Sequence, residues 1–186
     1  MAQISGPRDG QADGVRLAEL DGEAGPQRRR SYEWQDPAIS AAVAPGVAGI
    51  DFFRALLDGE LPIPPIAATL GFTMVAADPG RVVFEFTPAE FHYNPIGSVH
   101  GGVYATMCDS ACGCAVHSML PKGAYYTSQD LSVKFLRPIT GSTGTLRCEG
   151  TVIHLGSRTA LAEARLSDRQ GKLYAHGTSS CLIFRP

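Results

Sequence analysis

Hydrophobic and polar residues alternate along several stretches of this chain, which is the pattern of half-buried β-strands. In the segment RVVFEF, the apolar residues Val82, Phe84 and Phe86 are spaced two apart, as on one face of a strand. The preceding segment GFTMVAA is also rich in residues that favour strands, and the turn sequence Asp-Pro-Gly at 78–80 separates the two. The pattern predicts two strands joined by a tight turn.

Four further strand-like segments follow in the second half of the chain, and each boundary carries turn residues: YYTSQDLSVKFLRPI, GTLRCEGTVIHLG, RTALAEARLSD and KLYAHGTSSCLIF. The part TALAEARL consists of good helix formers and taken alone favours a helix. It is short and has strand-like segments on both sides, so we predict a strand there as well.

One helix interrupts the strands. From Val103 onward the segment NPIGSVHGGVYATMCDSACGCAV reads as an apolar helix that ends near Pro121 and Gly123. Ser98 is the predicted N-cap of this helix. A single buried helix covered by antiparallel strands is an α+β architecture.

The first part of the chain differs from the rest. Residues 1–47 are polar, charged and Gly-rich, which predicts a flexible tail, with a short helix around Val15–Leu20 and Trp34 as an anchor near its end. The segment GIDFFRALLDGELP predicts a helix with Asp51 as its cap or first-turn acid, and PIPPIAATLGF predicts a further helical turn. We therefore expect a helical N-terminal extension at 48–70 and a single domain over 48–186.

Composition narrows the possible partners. The net charge of −2 gives no overall attraction to nucleic acid or to anionic membranes. We find no apolar run of membrane-spanning length and no export signal. The five cysteines lack the spacing of a disulfide framework or of a metal site, so we expect reduced thiols, no metal and a cytoplasmic location.

Two features of the predicted helix are candidates for a role in binding or catalysis. Asp109 is a carboxylate in an apolar segment, where an ionised group is costly unless it is paired or protonated. Gly101 and Gly102 lie in the first turn, where backbone N–H groups without helical partners can bind an anion or a developing oxyanion.

Asp109 lies eight residues after Gly101, about 12 Å along a helix axis. One chain therefore does not bring both features to one reacting carbonyl. A two-fold dimer with antiparallel helices would place each Asp109 beside the glycine turn of its partner. Structural roles remain open for both features, because a mid-helix Asp often binds a strand hydroxyl and many His-Gly-Gly turns only shape the chain.

These residues resemble the hotdog-fold thioesterases of the phenylacetic-acid-pathway (PaaI) type. The matching pieces are Asn94, His100-Gly101-Gly102 and Asp109, together with the YYTSQDLSVKFLRPI segment, the Gly156–Arg158 turn and the last strand. The resemblance covers about residues 50–184. It implies an antiparallel sheet wrapped around one long helix, homodimers that share two active sites, and often dimers of dimers.

The resemblance also implies the reaction and its residues. An acyl-CoA thioester would be hydrolysed to a free acid and coenzyme A, which is part of the substrate, so no cofactor is expected. Asp109 would be general base or nucleophile, Gly101 the oxyanion donor, and Asn94 and His100 positioning residues. The remaining site residues are expected as follows: Thr127 orients the water, Ser128 and Gly102 contact substrate, and Arg158, Arg137 and Lys134 face the coenzyme A phosphates.

Three other functions remain open. A hydroxyacyl-thioester dehydratase or hydratase would use His100 with Asp109 across the dimer. A non-catalytic acyl-CoA-binding or sensing module could share the fold. A cysteine nucleophile among Cys108, Cys112 and Cys114 would need a base, and His117 is three residues past the last of them.

Overall fold

The computed structural model describes residues 25–185, which belong to two compact units divided between Ser31 and Tyr32. Residues 25–31 contain no helix or strand. All the elements described below belong to the second unit. The helix expected at Val15–Leu20 lies outside the described residues.

Seven strands form one antiparallel sheet. They are β1 Phe72–Asp78, β2 Arg81–Phe86, β3 Tyr125–Ser128, β4 Ser132–Phe135, β5 Leu146–Leu155, β6 Thr159–Asp168 and β7 Leu173–Phe184. The strand order is β1-β2-β5-β6-β7-β3, and β4 also pairs with β7. The β6 strand confirms that tertiary context overrides the helix propensity of TALAEARL.

The segment predicted as one strand run at YYTSQDLSVKFLRPI forms two strands, β3 and β4, separated by a break at residues 129–131. Asp130 holds this break against β7, because its carbonyl accepts the Ser179 hydroxyl at 2.8 Å and its carboxylate accepts the Ser180 N–H at 3.0 Å. Both short strands pair with β7, but the register shifts by one residue across the break: Ser128 pairs with Cys181 and Ser132 with Thr178.

Helix α4, Gly101–His117, lies against the inner face of the sheet, mainly on β5, β6 and β7. Many of its core side chains are small or unbranched, such as Met107, Ala111 and Cys112, all fully buried. No helix within residues 25–185 is both long and apolar enough to cross a membrane. The predicted architecture, a sheet wrapped around one long helix, is confirmed.

The contact between α4 and β5 is a backbone contact. A Cβ atom placed on Gly150 would lie 2.1 Å from the carbonyl oxygen of Ala111. Glycine is therefore required at position 150 for the helix to approach the sheet this closely.

Within residues 25–71, three short α-helices precede the sheet: α1 Ala38–Val43, α2 Gly49–Leu57 and α3 Pro65–Leu70. The α1 helix lies in the part of the chain that the sequence predicts as tail. Asp51 is a first-turn acid of α2, and Ala48 occupies the cap position. The Gly49 N–H donates to the Leu120 carbonyl at 3.0 Å, which fastens α2 to the chain just beyond α4.

Trp34 does not bury its ring as the anchor expected from the sequence would. Its side chain is 58% exposed, and its ring lies 5.8 Å from the ring of Tyr32, measured between centroids.

Replacing Gly150 by Ala should destabilise the protein by about 2–3 kcal/mol, because the new Cβ forces α4 away from β5. This corresponds to a fall in Tm of about 5–10 °C, measured by calorimetry. Gly46→Ala is the matched control, since no heavy atom lies within 4 Å of a Cβ at that position. Equal Tm values for the two variants would contradict the backbone contact.

Candidate active site

Asp109 projects from the middle of α4 and is exposed in the isolated chain. The Ser128 hydroxyl donates to Asp109 Oδ1 at 3.1 Å. Among residues 25–185, no cationic side chain pairs with this carboxylate. The second oxygen of Asp109 therefore remains available to accept a proton or to approach a substrate carbon.

The face of β3 that carries Ser128 also carries Tyr126, whose phenol oxygen lies against Gly113 of α4. Alternate residues of a strand point to opposite faces, so Thr127 points away from α4. The contact with Asp109 within the chain is therefore made by Ser128 and not by Thr127, which was expected to orient the water.

The beginning of α4 is capped by a histidine. His100 Nδ1 accepts the Gly102 N–H at 2.9 Å, and the His100 carbonyl accepts the Val103 N–H at 2.9 Å. Ser98 is therefore not the N-cap, contrary to the sequence-based expectation. The cap fixes one tautomer of His100, with the proton on Nε2, since Nδ1 is an acceptor.

The cap leaves one amide without a partner. The Gly101 N–H makes no hydrogen bond within the described part of the chain. Gly101 lines an open groove of about 330 Å³ together with Asn94, Ser98, Val99, Tyr104 and residues 135–138. A donor at the positive end of a helix, open to a groove, suits an anion or an oxyanion.

Asn94 shapes the loop that borders this groove. Its Oδ1 accepts the Ile96 N–H at 3.1 Å and the Ser98 N–H at 3.2 Å, and its Nδ2 donates to Ser98 Oγ at 3.1 Å. The side chain is committed to its own turn. In the isolated chain Asn94 therefore positions the groove wall.

The structure separates the predicted site residues into two groups. Asp109 and Ser128 form one group beside β3, and Gly101, Gly102, His100 and Asn94 form the other at the start of α4. The eight-residue spacing along one straight helix keeps the groups about 12 Å apart. Asp109 does not line the groove at Gly101.

The predicted phosphate-binding cations occupy different places. Arg137 lines the Gly101 groove, and its guanidinium donates to the Leu173 carbonyl. Lys134 is exposed on β4, on the face opposite Phe135, which packs toward α4. Arg158 is exposed in the β5–β6 turn, and within residues 25–185 no carboxylate pairs with it.

All five cysteines are free thiols. Burial raises the pKa of the Cys112 thiol and raises that of Cys114 to about 12, and burial lowers the pKa of His117. Thiols with raised pKa values are poor nucleophiles, so the geometry does not favour a cysteine mechanism. In the described part of the chain, no three His, Cys, Asp or Glu side chains converge in a way that could hold a metal ion.

An apolar cavity of about 410 Å³ lies between α4 and the N-terminal helices. Phe52, Phe53, Leu56 and Leu57 of α2 line it, as do Ile66 and Ala67 of α3. The sequence of residues 52–66 is rich in large apolar residues, which is the feature that indicates a binding surface here. Three of them remain partly exposed in the structure: Leu57 at 39%, Ile63 at 47% and Ile66 at 47%.

Comparisons of the sequence with a family model and with known proteins indicate the same family. The thioesterase superfamily matches residues 96–175. Human acyl-coenzyme A thioesterase 13 is 31% identical over 106 residues, which are 56% of this chain and 74% of that protein. A protein of Halobacterium salinarum named as an esterase is 38% identical over 97 residues, 48% of this chain, but the match spans only 62% of its length.

Solved structures agree with the sequence comparison. A phenylacetic acid degradation-related protein from Ralstonia eutropha superposes with a TM-score of 0.64 at 32% identity, covering 70% of this chain and 98% of that one. Because 98% of that chain is covered, the fold described here corresponds to nearly the whole of the Ralstonia protein. The chain belongs to the thioesterase superfamily, as a hotdog-fold thioester hydrolase of the PaaI type.

Proposed function

We propose that the protein hydrolyses an acyl-CoA to a free carboxylic acid and coenzyme A, at a site completed by two copies of the chain. Asp109 and Ser128 of one copy and the Gly101 amide of the other would face the same thioester carbonyl. The observation that carries this proposal is the Gly101 N–H, which has no partner among residues 25–185 and lies at a groove, on the same rigid helix as an exposed Asp109 but too far from it to act on the same carbonyl.

The residues suit a general-base reaction. Ser128 holds Asp109 Oδ1 at 3.1 Å, so Oδ2 is free to take a proton from water. The resulting hydroxide attacks the thioester carbon, and the Gly101 N–H stabilises the negative oxygen of the tetrahedral intermediate. When the C–S bond breaks, the electron pair leaves with sulfur, and the protonated Asp109 returns its proton to the coenzyme A thiolate.

The free edge of the sheet supports a two-chain site. Within the described part of the chain, strands β3 and β4 pair with β7 on one side only. Apolar side chains beside this edge remain exposed: Tyr125 is 58% exposed, Phe135 58% and Leu136 49%. An exposed edge with large apolar side chains is a natural place for a second copy to pair.

A substrate with phosphates needs cations near the entrance of the site. Arg137 at the Gly101 groove and Arg158 in the β5–β6 turn are the proposed contacts for the coenzyme A phosphates. Lys134 lies on the outer face of the sheet and does not line the Gly101 groove, so it is the least favoured of the three cations for a phosphate contact.

Asp109→Asn should keep the fold and lower kcat for acyl-CoA hydrolysis by about 100-fold or more, because the general base is lost. Thiol release is followed with a thiol-reactive dye, and the unfolding transition checks the fold. Near-wild-type kcat would remove Asp109 from the mechanism. Hydration of crotonyl-CoA without thiol release would instead assign a hydratase.

Ser128→Ala should lower kcat by about tenfold or more, since a hydrogen bond to a charged group is lost. Thr127→Ala is the matched control, because this hydroxyl points away from α4. The two variants are compared by kcat on one acyl-CoA. A larger loss for Thr127→Ala would contradict the arrangement of β3 described above.

Mixed dimers test whether the site is shared. Gly101→Pro removes the amide hydrogen at the first helical position, where proline is tolerated, and Gly101→Ala adds a side-chain carbon but keeps the hydrogen. We expect Gly101→Pro to lose about 100-fold more activity than Gly101→Ala.

A heterodimer of Asp109→Asn with Gly101→Pro contains one site with both defects and one with neither. It should therefore recover about half of the wild-type activity per dimer. Heterodimers verified by native mass spectrometry that show no recovery would place the reaction within a single chain.

A further inference from the structure

The apolar cavity beneath the N-terminal helices lies beside the position of Asp109 on α4, although Asp109 itself does not line it. Ser110 lines the cavity and directly follows Asp109 on α4. Tyr126 also lines it and shares the inner face of β3 with Ser128, which binds Asp109. From Ser110 the cavity extends along α4 to His117, which is seven residues or about 10 Å further.

The cavity walls are mainly apolar. They include aromatic rings from three elements, Phe52 and Phe53 of α2, Phe72 of β1 and Phe84 of β2. An empty apolar cavity costs free energy in proportion to its volume, since the lining atoms lose contacts. Its volume of about 410 Å³ falls within the range of small-molecule sites.

One wall carries a row of polar side chains from α4 and β3. Ser110, Cys114 and His117 are spaced as neighbours on one helix face, and the Tyr126 phenol lies beside them. Burial keeps the imidazole and the thiol uncharged, because it lowers the pKa of His117 and raises that of Cys114 to about 12. No Lys, Arg, Asp or Glu side chain lines this cavity among the described residues.

We infer that this cavity binds the acyl group of the substrate and selects uncharged, mainly apolar acyl groups of medium length. The inference depends on the proposed function, because it assigns the same site its acyl specificity. The outer wall belongs to α2, α3 and β1, which all precede the residues 96–175 that match the family. The outer wall, which would select the acyl group, is therefore separate in sequence from the segment that carries Asp109 and Gly101.

The substrate test is a series of acyl-CoAs hydrolysed by the wild-type protein. The value of kcat/KM should rise about fourfold per methylene from acetyl-CoA until the cavity is filled. Octanedioyl-CoA, in which a carboxylate replaces the terminal methyl group of the octanoyl chain, should react about 100-fold more slowly than octanoyl-CoA, because a charge would enter an apolar space.

The outcomes separate the two proposals. Hydrolysis of several acyl-CoAs with no dependence on chain length, or equal rates for the charged and uncharged substrates, would overturn the acyl assignment alone. Absence of thiol release from every acyl-CoA would overturn the proposed function.

Variants test the wall directly. Ile66 lines the cavity from α3, and Ile39 of α1 does not, although both side chains are 47% exposed. Ile66→Glu should reduce the ratio of kcat/KM for octanoyl-CoA to that for acetyl-CoA by at least about tenfold. Ile39→Glu should leave this ratio unchanged.

Binding without turnover gives a second measurement. The non-hydrolysable thioether S-octyl-CoA should bind wild-type protein at least about tenfold more tightly than S-ethyl-CoA, by isothermal titration calorimetry. Ile66→Glu should remove most of this difference. Equal affinities for the two thioethers in the wild-type protein would contradict the acyl cavity even if hydrolysis is observed.

Discussion

The close contact between the backbone of α4 and the sheet determines where every functional group of this protein lies. Gly150 of β5 lets the carbonyl of Ala111 approach within a distance that no side chain would allow. Small buried residues on α4 and β6, such as Ala111, Ala162 and Ala164, extend this contact. With the helix fixed on the sheet, Asp109 meets Ser128 at the edge strand, and Gly101 opens into its groove at the other end.

The rigidity of α4 also keeps the proposed general base and the proposed oxyanion donor of one chain apart. A straight helix cannot bring its first turn next to its middle, so in the proposed mechanism Asp109 and Gly101 of one chain act on different carbonyls. In that mechanism activity would depend on assembly, because loss of subunit pairing would separate the two groups without unfolding either chain. The free β3–β4 edge and the His100 cap, which satisfies Gly102 and leaves Gly101 open, are both consistent with that dependence.

Much of this arrangement could be predicted from sequence because it depends on local patterns. Alternation of apolar residues defined β2, and the small apolar residues around Asp109 defined α4. The face of β3 could not be read from sequence, because the break at residues 129–131 interrupts the alternation on which Thr127 and Ser128 depend. The cap of α4 was missed since His is an uncommon cap beside the better candidate Ser98. The shape of the cavity could not be predicted, because its walls come from segments far apart along the chain.

The placement of the N-terminal helices over that cavity has a thermodynamic consequence. A molecule held there would touch α2, α3 and α4 together, and would therefore bind the closed arrangement of these helices better than an opened one. By mass action, the free energy of opening α2 and α3 would then increase with the concentration of acyl ligand. Ligand binding in the cavity and closure of α2 and α3 over it would then be linked equilibria.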